Sequence, residues 1–279
     1  MSFDQLKIAL CQLQSNENLA QNVSTITELV NSYGPENDII AFPENSTYIR
    51  VSSREKFFGA LEITDKFFRD MESLSGQLDV VICLGGVPLK EGNDLVNATV
   101  WVEPNQPAQV VYRKIHMFDV NVGDHAIRES DTFTPGGQAS IREFKGWRFG
   151  FSICYDVRFA NIYELYARQQ VDVVFVPAAF LVPTGKAHWQ VLLRARAIEG
   201  QFFVVAPAQA GEHWSVDGKK SRLSYGHSLA VSPWGEVLMD LNNRVNVAES
   251  IELSKKTIQR VQNQIPMCDH RKANITLEE

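Results

Sequence analysis

Three residues in this chain have side chains suited to one another's chemistry: Glu44, Lys114 and Cys154. A thiol attacks carbon only as its thiolate, so a carboxylate that takes the proton and a cation that favours the charge are both useful neighbours. Glu44 closes the run DIIAFPE, Lys114 follows AQVVYR, and Cys154 ends GWRFGFSIC, so each stands at or just past the end of an apolar, strand-like stretch. In open α/β sheets ligands gather at the carboxyl ends of strands, which makes one shared site geometrically accessible to all three. Each alone has a plainer explanation: a helix cap for Glu44, a solvated cation for Lys114, a small core residue for Cys154. Together they form a set able to carry acyl transfer. Lys114 and the backbone N–H of Tyr155, at a helix start, would then face the oxygen that becomes negative in the tetrahedral intermediate. Arg158 stands one helical turn beyond Cys154, where a guanidinium can meet a substrate carboxylate bidentately; an ion pair with Asp156 is its alternative.

The elements that must position these residues are legible as hydrophobic patterns. Residues 6 to 14 read as a buried strand, and 18 to 34 as a helix with Leu19, Val23, Ile26 and Val30 at helical spacing before Gly34-Pro35. A short strand leads to Glu44, and a second helix is expected over 54 to 75. LDVVICLGGVPL, LVNATVWVE and AQVVYRKIHM follow as three strands parted by the turn signals EGN and PNQP. After a loop holding Glu129, the pattern restarts: strand 147 to 153, helix near 160 to 170, strand VDVVFVPAAF, helix 186 to 200, then the strands FFVVAPAQAG and SYGHSLAVSPWGEVLMDL. The order β-α-β-α-β-β occurs twice, which predicts two similar halves closed on each other with sheets inside and helices outside. The stripe Trp189, Leu192, Leu193 and Ala197 reads as core or dimer surface. Residues 211 to 224 read as a polar loop whose cations Lys219, Lys220 and Arg222 would lie over the mouth of a cleft, or simply in solvent.

Composition narrows the function. The 279 residues are 44% hydrophobic, enough for one large α/β domain, and no Pro/Ser-rich linker divides them. The formal net charge is -6 and the Lys and Arg residues are dispersed, so a nucleic-acid partner is not expected. No run is long and apolar enough for a membrane span or a secretory signal, so the expected setting is the cytoplasm. Cys11, Cys83, Cys154 and Cys268 are too scattered for a disulfide framework or a zinc ribbon, and neither a metal nor a cofactor is expected. The GKA and GKKS segments lack the spaced glycine and adjacent hydroxyl of a phosphate loop.

FPEN around Glu44, YRKIHMFD around Lys114 and CYDVRF around Cys154, in that order, resemble the three signature regions of the nitrilase superfamily of carbon–nitrogen hydrolases. The resemblance runs from IALCQLQ to QIPMCDHRK. It implies a four-layer α-β-β-α sandwich, with Glu44 as general base, Lys114 stabilising the transition state and Cys154 as nucleophile. It also implies that Glu129, in RESDTFTPGG, positions Lys114 and substrate, and that Phe180 and Thr184 wall the pocket. AFLVPTGKAHWQVLLRARAIE and SYGHSLAVSPWGE are similar to the branch that holds deaminated glutathione amidase and omega-amidase, with APAQAGEH followed by SYGHS tilting toward the former. The expected substrate is therefore a small carboxylate-bearing amide, cleaved through a cysteine acyl-enzyme. Association at least as a homodimer is implied as well, with the tail from about residue 262 available to a partner subunit. Two rival readings stand beside this one: a papain-like Cys-His enzyme using His116, His188, His213 or His227, and a nitrilase-fold protein that binds without catalysing.

Overall fold

The computed structural model describes residues 4–51, 57, 59–122 and 125–272. Ile39–Phe42, Val173–Phe175 and Phe203–Ala206 are buried along their whole length, as their unbroken apolar sequence requires of interior strands. They organise two sheets. In the first, the neighbours run Ser221–Tyr225, Ala208–Trp214, Gln5–Leu13, Ile39–Phe42, Val81–Glu91, Asp94–Val102, Gln109–Arg113, and Val247–Ser254 also pairs antiparallel with Gln5–Leu13. The second runs Val237–Asp240, Leu229–Val231, Phe203–Ala206, Val173–Phe175, Trp147–Phe151, Ile141–Phe144.

The sheets face each other across one apolar core, in which Trp101 of the first lies 5.5 Å from Phe149 and 5.8 Å from Phe151 of the second. Because strand side chains alternate, Gly150 between those phenylalanines faces the opposite way, and there the ring of Tyr166 from helix Ala160–Arg168 covers it. Leu193 and Ala197 of helix Gln190–Gly200 join the same core. On the far side of the first sheet, Ile26 and Val30 of helix Leu19–Tyr33 and Phe68 and Met71 of helix Lys66–Leu78 pack with Ala9, Ile40, Phe42 and Ile82. The layering is α-β-β-α, as expected. Trp189, Leu193 and Ala197 of the predicted stripe are buried. Among the described residues no helix is long and apolar enough to cross a membrane.

Four expectations are corrected, the first being that SYGHSLAVSPWGEVLMDL is not one strand but the end of Ser221–Tyr225 followed by Leu229–Val231 and Val237–Asp240. The second helix begins at Lys66 rather than 54; residues 52–56 and 58 lie outside the described residues, and 59–65 carry no helix. The reason is local pairing: Leu61 donates its N–H to Pro88 O (3.0 Å) and accepts from Lys90 N–H (2.8 Å), which holds that stretch extended against the strand Val81–Glu91. FFVVAPAQAG is two strands, because Pro207, without an N–H, ends Phe203–Ala206 in the second sheet and Ala208–Trp214 continues in the first. The segment 211 to 224 is a hairpin, Ala208–Trp214 pairing antiparallel with Ser221–Tyr225, and not a loop. Toward the carboxyl end, helix Lys255–Gln264 leads to a segment that returns to its own chain: Ile265 O accepts from Gln201 Nε2 (2.7 Å) and Lys272 O from Arg168 (2.9 Å).

At Gly85-Gly86 the pairing of Val81–Glu91 with Asp94–Val102 shifts register. A Cβ on Gly85 would lie 2.2 Å from Pro177, and Gly86 adopts φ +57°, with Glu44 Cγ 2.6 Å from where its Cβ would stand. Only glycine fits both the left-handed backbone and the contact. Gly86→Ala should therefore cost about 1–3 kcal/mol of stability in urea denaturation, through backbone strain and displacement of Glu44. An unchanged midpoint would contradict that close approach.

Candidate functional site

Glu44 lies two residues past Ile39–Phe42, Lys114 one past Gln109–Arg113, and Cys154 three past Trp147–Phe151, so three strand ends from two sheets converge. Lys114 Nζ donates to Glu44 Oε1 (2.9 Å) and to both oxygens of Glu129 (2.9 and 2.8 Å). All three groups are removed from bulk water, the Lys114 and Glu44 side chains being 2% and 4% exposed. Burial works against the ammonium charge, but the carboxylates of Glu129 and Glu44 outweigh it and hold the Lys114 pKa well above its ordinary value.

Both carboxylate oxygens of Glu44 and its backbone carbonyl are bonded. Its Oε1 also accepts from Asn97 Nδ2 (2.9 Å), its Oε2 from Ala179 N–H (3.0 Å), and its backbone O from Gln209 Nε2 (3.0 Å). Glu129 opens the short turn Glu129–Asp131 and accepts from Phe118 N–H at 2.7 Å as well as from Asn97 at 3.2 Å. Asn97, tying both carboxylates together, is a functional residue the sequence reading passed over. Its signal was a single amide inside the apolar run LVNATVWV, and it is 1% exposed.

Cys154 stands at φ +50°, a left-handed conformation unusual for a residue with a side chain, and its N–H is held by Pro177 O at 2.8 Å. The turn that follows, Cys154–Arg158, is pinned by Asp156. That buried carboxylate accepts from Ile153 N–H (2.9 Å), His116 N–H (2.9 Å), His116 Nδ1 (2.8 Å) and Tyr112 Oη (2.8 Å). The His116 ring stacks on Phe159 at 3.6 Å. The Cys154 thiol hydrogen-bonds Glu44, and its pKa is pushed well above the ordinary value by burial first and the Glu44 charge second, with Lys114 opposing. The thiol thus rests neutral with a carboxylate beside it. Such a pair suits proton transfer at the moment of attack, not a standing thiolate.

A cleft of about 460 Å³ opens above these groups, lined by all eight residues singled out from the sequence: Glu44, Lys114, Glu129, Cys154, Tyr155, Arg158, Phe180 and Thr184. Asn45, Phe118, Ala179, Leu181 and Arg222 complete it. The turn starting at Cys154 leaves the Tyr155 N–H at its first residues, where helical partners do not exist. Arg158 does not pair with Asp156, whose acceptors are taken. Its guanidinium lies 5.6 Å from the Tyr155 ring and 5.4 Å from the Phe180 ring, with Nη1 3.1 Å from His188 Nδ1. Thr184 hydrogen-bonds Leu181 O at 3.2 Å and precedes the π-turn Gly185–Trp189. Of the three hairpin cations only Arg222 reaches the cleft; Lys219 is exposed beside Asp217.

The four histidines of the papain-like reading are engaged elsewhere. His116 meets Asp156, His188 meets Arg158, His213 meets Ser15 O at 2.6 Å, and His227 meets Asp240 at 3.0 Å. Among the described residues no cluster of His, Cys, Asp and Glu is arranged to hold a metal ion.

Residues 7–260 match the family model described as carbon-nitrogen hydrolase, and the chain belongs to that family. It is a hydrolase of carbon–nitrogen bonds other than peptide bonds, of the nitrilase superfamily. A deaminated glutathione amidase of Synechocystis sp. is 34% identical over 94% of this chain and 97% of its own length. An omega-amidase of Bos taurus is 29% identical over 96% of each. Among solved structures, the Caenorhabditis elegans NitFhit protein superposes with a TM-score of 0.85 at 29% identity, covering 98% of this chain and 66% of that one.

The raised thiol pKa sets a labelling experiment. In a Cys268→Ser background, which removes the exposed thiol, iodoacetamide alkylation of Cys154 followed by intact mass should keep rising through about pH 9. A plateau near neutrality would mean a thiolate already formed, contrary to this electrostatic balance.

Proposed function

We propose that the protein is a thiol-dependent amidase working through a cysteine acyl-enzyme, with Cys154 as nucleophile, Glu44 as general base and acid, and Lys114 as oxyanion stabiliser. The observation that carries this reading is the buried Lys114 ammonium bridging Glu44 and Glu129 beside the Cys154 thiol. Glu44 takes the thiol proton as sulfur attacks the amide carbonyl. The oxygen that turns negative is met by Lys114 and the Tyr155 N–H. Glu44 returns the proton to the departing amine, the C–N bond breaks, and a thioester remains on Cys154. Water, deprotonated by the same carboxylate, then attacks the thioester, and the proton passes back to sulfur as the acid leaves. Glu129 positions Lys114 throughout and touches substrate from the cleft wall.

The substrate we assign is a small amide whose acyl part carries a carboxylate, read by Arg158 with Tyr155, Phe180 and Thr184 around it. Deaminated glutathione, split into 2-oxoglutarate and Cys-Gly, is the first choice, supported by the Synechocystis relative of that name. The alternative is 2-oxoglutaramate, supported by the relative named omega-amidase. Both would pass through the same 2-oxoglutaryl thioester, so Arg158 serves either. A role as a non-catalytic binding protein fits poorly with Glu44, Lys114 and Cys154 all present and mutually bonded.

Release of 2-oxoglutarate from both amides tests the proposal. Cys154→Ala should abolish it while the protein stays folded. Lys114→Met should lower kcat by about 10²–10³, on the order of 2.7–4 kcal/mol, the cost of losing one oxyanion donor, and Glu44→Gln, which removes the base, should lower kcat severely as well. Any of the three variants turning over at the parental rate would remove that residue from its role.

A further inference from the structure

The hairpin expected to be a loop carries the least explained group in the cleft. On Ser221–Tyr225, alternate side chains face opposite ways: Ser221 and Leu223 are exposed, while Arg222 and Ser224 turn inward. Directly across the pair from Arg222 is His213, fully buried. Its Nδ1 meets the Ser15 carbonyl, so Nδ1 carries the proton; burial lowers its pKa to about 4 and keeps the ring neutral beside the guanidinium. Leu181 pairs with Ser224, and Tyr225 N–H donates to Phe180 O (2.9 Å), which fastens the hairpin to the wall of the cleft. Arg222 is thus held by rigid backbone at the pocket surface.

The guanidinium itself is poorly satisfied. Among the described residues its one hydrogen bond is a long 3.3 Å contact from Nη2 to Ala179 O, and its enclosed Nε has no partner there. Among the described residues no carboxylate lies within ion-pair distance of it. Glu44 and Glu129 attract it from farther off, but both are already bonded to Lys114, and Arg50 repels it. Arginine cannot shed its proton, and Arg222 is half-buried with its enclosed Nε unpartnered, so the guanidinium is able to take up an anion from the cleft. Lys114 already bonds two carboxylates, whereas among the described residues neither Arg158 nor Arg222 has a carboxylate within ion-pair distance.

The two arginines also differ in position. Arg158 lies against the Tyr155 and Phe180 rings. Arg222 reaches Ala179 O, and the N–H of that same residue donates to Glu44 Oε2 at 3.0 Å, which places Arg222 on the Glu44 side. In the proposed mechanism Glu44 must hand a proton to the departing nitrogen, so the amine half of the substrate lies on the Glu44 side. We propose that Arg222 binds a carboxylate on the amine half of the scissile amide, so that the cleft takes amides bearing a carboxylate on each side of the cleaved bond. This inference rests on the amidase reading and narrows its substrate class: deaminated glutathione has the second carboxylate, on glycine, and 2-oxoglutaramate does not.

The test is isothermal titration of Cys154→Ala protein with deaminated glutathione and with its C-terminal carboxamide, which differ only in that charge. The carboxylate should bind at least about 10-fold more tightly, as a charged hydrogen-bonded pair predicts. Arg222→Leu should bring the ratio within about two-fold of unity, and Arg222→Lys, which keeps a cation, should retain part of it. No preference in the Arg222 protein, a preference that survives in Arg222→Leu, or binding of neither ligand overturns the proposal. Hydrolysis by the unsubstituted enzyme judges the other reading separately. Equal kcat/KM on both ligands would keep the amidase and overturn the Arg222 role; an intact binding ratio with no turnover would do the reverse.

Discussion

A single buried ammonium between two carboxylates sets the terms for everything around it. Lys114 with Glu44 and Glu129 is one positive charge against two negative ones in an enclosed place. Breaking such a set by removing one partner costs several kcal/mol, because the remaining charge is stranded. The fold answers that demand with donors: Asn97 reaches both carboxylates, Ala179 and Phe118 offer N–H groups, and Gln209 secures the Glu44 backbone. Asn97 and Gln209 belong to strands of the first sheet, whereas Ala179 follows the strand Val173–Phe175 of the second and Phe118 follows Gln109–Arg113 of the first.

Burial first, and the Glu44 charge second, push the Cys154 pKa up and leave the thiol neutral. A cation alone beside Cys154 would have favoured a thiolate; here the Glu44 charge and burial together prevail over Lys114. The result is a base in contact with an acid it deprotonates only when an electrophile arrives. In the proposed scheme Lys114 meets the oxyanion, while Arg158 and Arg222, which line the same cleft, meet the substrate's carboxylates. Separating charge used for chemistry from charge used for recognition is what a cleft with three cations and two carboxylates achieves.

Much of this was legible in the sequence because strand ends and apolar runs are local signals. Glu44, Lys114 and Cys154 each end a hydrophobic stretch, and the alternation of strands and helices was enough to expect four layers. Residues whose role depends on a distant partner were harder to see. Asn97 reads as one polar interruption until Glu44 and Glu129 are folded against it, and Arg222 reads as one of three loop cations until strand pairing turns it inward. The helix start at Lys66 was missed because Leu61 bonds to a strand edge far along the chain, a tertiary pairing that overrides local periodicity. The strand Val247–Ser254 escaped for a similar reason: its place is set by Gln5–Leu13, at the other end of the chain.

The claim that Lys114 is the organising charge is tested most directly by a double-mutant cycle on stability. Lys114→Met, Glu129→Gln and the double variant should be unfolded in urea at neutral pH. Lys114→Met alone should lose about 3–5 kcal/mol, since two buried carboxylates are left facing each other. Adding Glu129→Gln removes one of them, so the double variant should be less destabilised than the sum of the singles by at least about 1 kcal/mol. Losses that simply add would contradict the account, because they would mean that the ammonium and the carboxylates contribute independently.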